Sequence, residues 1–148
     1  MRRNINIKRV LIAGIVANLM SFIVGGGGYL LFGWVFQLEP QNIWKWTPGT
    51  TISMSLNWWI FLILGNTVLA IALALVYAIL FNGIPGQGVK KGMTFGFLVW
   101  IVGVLPAMFS MYVLVKIATG ALFYFATQGL LEYLIYGAVI SLIYKGKV

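Results

Sequence analysis

An all-α integral membrane protein, a bundle of four transmembrane helices with both termini cytoplasmic, is the fold class this sequence predicts. Three observations predict it. Hydrophobic residues fill 61% of the 148 positions and charged ones only 8%, with a mean hydropathy of +0.99, which leaves too little polar surface to clothe a soluble globule. Four apolar segments each reach the roughly 20 residues needed to cross ~30 Å of hydrocarbon. Lys and Arg, ten residues in all, cluster beside these segments with a strong bias to one side of the membrane. The chain 1–148 therefore reads as a single transmembrane domain.

The first helix is expected over about 10–31. Its approach, "MRRNINIKR" followed by "VLIAGIVANLMSFIV", has the order of charge and apolarity of a signal peptide. Gly25 and Gly27 make a poor cleavage site, however, and removal of this segment would leave an odd number of spans and split the basic clusters, so a retained helix is expected. Residues 32–56, "FGWVFQLEPQNIWKWTPGTTISMSL", form the long outer connection. Pro40, Pro48 and Gly49 break any continuous helix there. Trp34, Trp44, Trp46, Trp58 and Trp59 suit the headgroup layer, where an indole buries its ring and keeps its N–H wet. They read as an interfacial belt or as an aromatic lid over a site.

The second helix is expected over about 57–81 and the third over about 93–115, joined by the glycine-rich turn "NGIPGQGVKKG". Pro106 should kink the third helix, because its ring displaces the carbonyl of Val102. The fourth helix is expected over about 121–144. None of the four shows the polar/apolar alternation of a barrel strand, and backbone groups in lipid must be satisfied internally, so all four read as helices.

Orientation follows from the cations. Arg2, Arg3, Lys8 and Arg9 precede the first helix, Lys90 and Lys91 lie in the second connection, and Lys145 and Lys147 follow the fourth, against only Lys45 and Lys116 on the other side. Eight against two fixes both termini inside and argues against an antiparallel dual-topology dimer. The net charge of +8 then anchors the chain and favours anionic lipid headgroups. It does not indicate nucleic acid, since no aromatic stacking platform accompanies the clusters. Short loops and the lack of an N-x-Ser/Thr site favour the plasma membrane of a bacterium or archaeon.

The sequence holds no Cys and no His, and its two acidic residues are Glu39 and Glu132. Disulfides, iron–sulfur clusters, thiol nucleophiles, haem or zinc ligation and Ser-His-Asp catalysis all lack their residues. Two distant carboxylates cannot share a magnesium ion or act as a facing acid/base pair. The run Gly25 to Gly28 lacks the Gly-Lys-Ser/Thr of a phosphate loop. No cofactor or metal is expected, and the inventory argues against an enzyme.

Small residues recur at helical spacing: Gly14, Asn18, Ser21 and Gly25 in the first helix; Asn66, Ala70, Ala74 and Tyr77 in the second; Gly96, Gly103, Ala107 and Ser110 in the third; Gly129, Tyr133, Gly137 and Ser141 in the fourth. Such stripes let helix backbones approach in lipid. Gln128 and Glu132 sit on an adjacent face of the fourth helix. Counting ~1.5 Å per residue from the cytoplasmic ends places Asn18 at ~12 Å, Val102 at ~14, Ser21 at ~16, Glu132 at ~18, Asn66 at ~22 and Gln128 at ~24. A polar layer from all four helices is geometrically possible.

A mid-depth carboxylate is costly unless neutral, hydrated or bound to a cation. Glu132 is then either a structural donor to Asn66 or to the Val102 carbonyl, or a protonation site. Three functions follow. The chain is an accessory or assembly subunit packing against other membrane proteins or itself; or a proton- or cation-linked carrier or channel of a small solute, oligomeric, using Glu132 with Asn18, Asn66 and Gln128; or a lipid-modifying enzyme with Glu132 as sole acid or base. The first needs no chemistry and suits the inventory best.

Overall fold

The computed structural model describes residues 5–32, 34, 56–115 and 119–145, and no side chains for 56–59. Among these residues all the regular structure is helical. Four helices are long and apolar enough to cross a membrane: α1 (Ile7–Phe32), α2 (Leu56–Leu80), α3 (Gly88–Leu114) and α4 (Thr119–Ile143). The protein has the architecture of a multi-pass membrane protein.

Each helix packs through its small residues. On α1, Ala13, Gly14 and Ala17 are buried, and on α2 Ala70, Ala74, Tyr77 and Ala78 form a single buried face. Gly14 lies so close to α2 that a Cβ on it would stand 2.6 Å from the Cα of Ile71. The α3–α4 contact is closer still. Gly92 and Gly96 of α3 lie against the backbone of Gly137 and Tyr133 on α4, with no room for a Cβ at either. In lipid such backbone contact takes over the role that hydrophobic burial plays in water.

The helices stand in the order α2, α1, α4, α3, with α1 and α4 in the middle. One end closes the row. Tyr77 meets Phe95 edge-on at 5.3 Å, Phe81 at 5.6 Å and Tyr144 at 6.3 Å, so α2, α3 and the end of α4 share one aromatic cluster. Arg9 donates to the carbonyl of Lys145 at 3.3 Å, and the Lys91 ammonium lies 4.1 Å over the Phe81 ring. The other end has no such cluster among the described residues. Phe61, Leu64 and Val68 on α2, and Val102, Phe109 and Leu114 on α3, are exposed.

Two details differ from the sequence expectation. α3 starts at Gly88, so Lys90 and Lys91 belong to its first turn and not to the connection. Their long stems cover apolar surface while the ammonium groups stay at the boundary. Pro106 does not act by a simple kink: residues Trp100–Val104 form a wide turn in which the Leu105 N–H reaches back five residues to the Trp100 carbonyl. A proline has no N–H and crowds the carbonyl four residues back, and widening the turn before it relieves that crowding.

Candidate functional site

α1 and α4 meet along a polar seam that starts with glycine. Gly25 and Gly28 are spaced by three, so they fall on one face of α1. Gln128, Glu132 and Tyr136 are spaced by four along α4 and face them. A Cβ on Gly25 would stand 3.1 Å from a Glu132 carboxylate oxygen, and one on Gly28 would overlap the Gln128 amide. The glycines thus let both polar side chains lie directly against the α1 backbone. Gly26 and Gly27, with nothing within 4 Å of a built Cβ, are not needed for that contact.

The Gln128 Nε2 group makes two bonds. It donates to the Glu132 carboxylate at 3.0 Å and to the Val24 carbonyl at 3.2 Å. One amide therefore joins the carboxyl of α4 to the backbone of α1. Ser21, one turn toward the basic end, hydrogen-bonds with Tyr136. Tyr124, Tyr133 and Tyr136 all lie within electrostatic reach of Glu132, and Tyr29 of α1 reaches Tyr124. Among the described residues no Lys or Arg joins this group.

Asn18 belongs to a different contact. It is 4% exposed, its Nδ2 donates to Thr67 Oγ1 of α2 at 2.9 Å, and Thr67 donates in turn to the Ile63 carbonyl at 2.7 Å. The Asn18 Oδ1 has no hydrogen-bond partner among the described residues. A third polar contact joins α3 to α4: the Trp100 indole N–H donates to the Ala126 carbonyl at 2.9 Å from the first residue of the wide turn, while its ring stacks on Phe97.

The residues singled out from sequence are thus divided among several contacts. Gln128, Glu132 and Ser21 come together on the α1–α4 seam, Asn18 goes to α2, and Asn66 is half-buried on α2 beside Thr67. Glu132 accepts from Gln128 and does not donate to Asn66 or to Val102, whose side chain is 75% exposed.

Lys8, Arg9, Lys90, Lys91 and Lys145 gather at the closed end, while Arg2, Arg3 and Lys147 lie outside the described residues, as do Trp44, Trp46, Lys45 and Lys116. Trp34 is exposed just beyond α1, and Trp58 and Trp59 fall in the first turn of α2. Thr67, Tyr136 and Gly28 escaped the sequence reading. Tyr136 and Gly28 carried a signal, the spacing of four from Glu132 and of three from Gly25. Thr67 carried none, because a threonine bonded to its own helix reads as apolar.

Comparison of the chain with models of protein families, with curated proteins and with solved structures gave no match in any of the three.

Proposed function

We propose that the chain is a non-catalytic membrane subunit that works by packing against other membrane proteins or further copies of itself, with both ends in the cytoplasm of a bacterium or archaeon. The observation that carries this reading is the exposure of α2 and α3 away from the closed end: Phe61, Leu64 and Val68, and Val102, Phe109 and Leu114, present apolar faces that no described helix covers. The polar groups support it too, since Asn18 and Gln128 are bonded across helix interfaces and Glu132 is bonded to Gln128. The gathering of five described cations at one end supports the cytoplasmic assignment.

Absence of cysteine makes the test direct. Single cysteines at Phe61, Leu64, Val102 and Phe109 are crosslinked in native membranes and the adducts identified by mass spectrometry. The expected result is one recurring adduct, with a second copy or one other membrane protein, from adjacent positions on a face. Monomer alone at all four positions refutes the reading.

A second reading is favoured by one observation, that Tyr124, Tyr133 and Tyr136 lie within electrostatic reach of Glu132. Hydroxyls near a membrane carboxyl are what a proton- or cation-linked carrier needs. Proteoliposomes that dissipate an imposed proton or sodium gradient, and lose this with Glu132→Gln, would replace the first reading.

A further inference from the structure

We propose that the α1–α4 seam at Glu132 is a binding site for a single dehydrated monovalent cation of sodium's size, in competition with a proton. The inference starts from charge. Glu132 lies in a membrane-spanning helix with no Lys or Arg beside it among the described residues. An ionised carboxylate in that position needs one positive charge close by. A monovalent ion leaves the site neutral, whereas a divalent one leaves an uncompensated charge in the membrane.

The donor set is all oxygen, which selects hard cations. Gln128 now places its Nε2 between two acceptors, 3.0 Å from the Glu132 carboxylate and 3.2 Å from the Val24 carbonyl. Its two N–H groups there do what a cation would do, holding two electron-rich oxygens together. A half-turn of the amide substitutes Oε1 for Nε2 and makes that point the meeting place of three oxygens. Ions of calcium's size bond oxygen at about 2.3–2.6 Å, and Na+ is of that size. With Oε1 in that place, as far from the Glu132 and Val24 oxygens as Nε2 now is, 3.0 and 3.2 Å, each of these two pairs would subtend about 80° at such an ion, close to the right angle of six-fold coordination. The larger K+ needs longer bonds and more ligands than this seam offers.

The second carboxylate oxygen of Glu132 is the further protein ligand. Gly25 and Gly28 serve this site by leaving the backbone bare. A side chain at either would press on the carboxyl or the amide and cover the Val24 carbonyl. Among the described residues the titratable groups within electrostatic reach of Glu132 are Tyr124, Tyr133 and Tyr136 on α4, with Tyr29 of α1 in reach of Tyr124. All are phenols, so the competing proton goes to Glu132 itself.

This site does not depend on the assembly reading, because cation binding and helix docking use different faces. The test is carbodiimide tagging of the full chain in lipid nanodiscs, read by peptide mass spectrometry. A hydrophobic carbodiimide reacts with a protonated carboxyl, and the metal alone, as its chloride, is the probe. Na+ is expected to slow the tagging of Glu132 by about tenfold relative to choline, K+ to leave it unchanged, and lower pH to raise the Na+ concentration required.

Gln128→Leu should be tagged in Na+ at the choline rate. If that variant does not fold, Gly28→Ala, which only displaces the amide, should show weakened Na+ protection. Equal tagging in Na+ and choline overturns the proposal in favour of a proton site. Absence of tagging in every salt overturns it in favour of a sealed structural carboxyl. Neither result bears on the crosslinks that test assembly.

Discussion

Replacing Gly92 or Gly137 by alanine tests the packing argument most severely, because the same substitution elsewhere in this protein should act in the opposite direction. A Cβ on Gly92 would stand 2.6 Å from the carbonyl carbon of Gly137 and 2.5 Å from Ser141 Oγ, and one on Gly137 would stand 2.7 Å from the carbonyl carbon of Gly92. Non-bonded carbons settle at about 3.5–4.0 Å, so each substitution is short by about 1 Å. The carbonyl groups are backbone and, unlike the Ser141 hydroxyl, cannot rotate away. The helices must part, and a gap of 0.5–1 Å forfeits roughly a quarter to a half of each contact's attraction.

Overpacking of this kind costs about 1–3 kcal/mol, against a helix-propensity gain of about 1 kcal/mol for Gly→Ala. The net expectation is a loss of up to about 2 kcal/mol at either position. At Gly65 and Gly103 a Cβ meets nothing within 4 Å, so only the gain remains. Reversible unfolding in mixed micelles measures the difference. Gly92→Ala with Gly137→Ala should cost less than the sum of the two, since both relieve or strain one contact. Equal stability of Gly92→Ala and Gly65→Ala would refute the claim that backbone contact holds α3 to α4.

Three further expectations follow from the polar contacts. A double-mutant cycle of Asn18→Leu and Thr67→Val should give a coupling of about 0.6 kcal/mol, and no more than about 1.7, because Thr67 keeps its Ile63 acceptor when Asn18 is removed; unfolding in the same micelles reads it. Trp100→Phe retains the stack on Phe97 but loses the bond to Ala126, and should lower stability by about 1 kcal/mol. Gly28→Ala should shift the Gln128 amide bands in the infrared while Gly26→Ala leaves them in place, since only the former meets the amide.

Much of the fold was legible because length and hydropathy alone separate four spans, and the stripe of Gly129, Tyr133, Gly137 and Ser141 does face α3, with Gln128 and Glu132 turned to α1. The third stripe was not legible. Gly96 packs on α4, but Gly103, Ala107 and Ser110 are exposed. The wide turn at Trp100–Val104 explains this: residues held to a partner five back advance less than the ~100° of an α-helix, so the face beyond is rotated by roughly one residue's worth. Spacing counted straight through the turn therefore assigns the wrong face. The polar layer failed for a related reason, since depth fixes height in the membrane but not the direction in which a side chain points.

The arrangement of partners also sets an order of events during synthesis. α1 and α2 can join as soon as both are made, through Gly14, Ala70 and Asn18. α3 has its main partner in α4, and α1 meets α4 through Val24, Gly25 and Gly28. Until the fourth segment leaves the ribosome, the notch of Gly92 and Gly96 and the bare backbone at Gly25 and Gly28 have nothing to hold. The segment that completes both contacts is the one that carries Glu132 into the bilayer. A chain stalled before residue 119 would thus present open glycine faces to the cell's membrane proteases, and the arrival of α4 would hide them together.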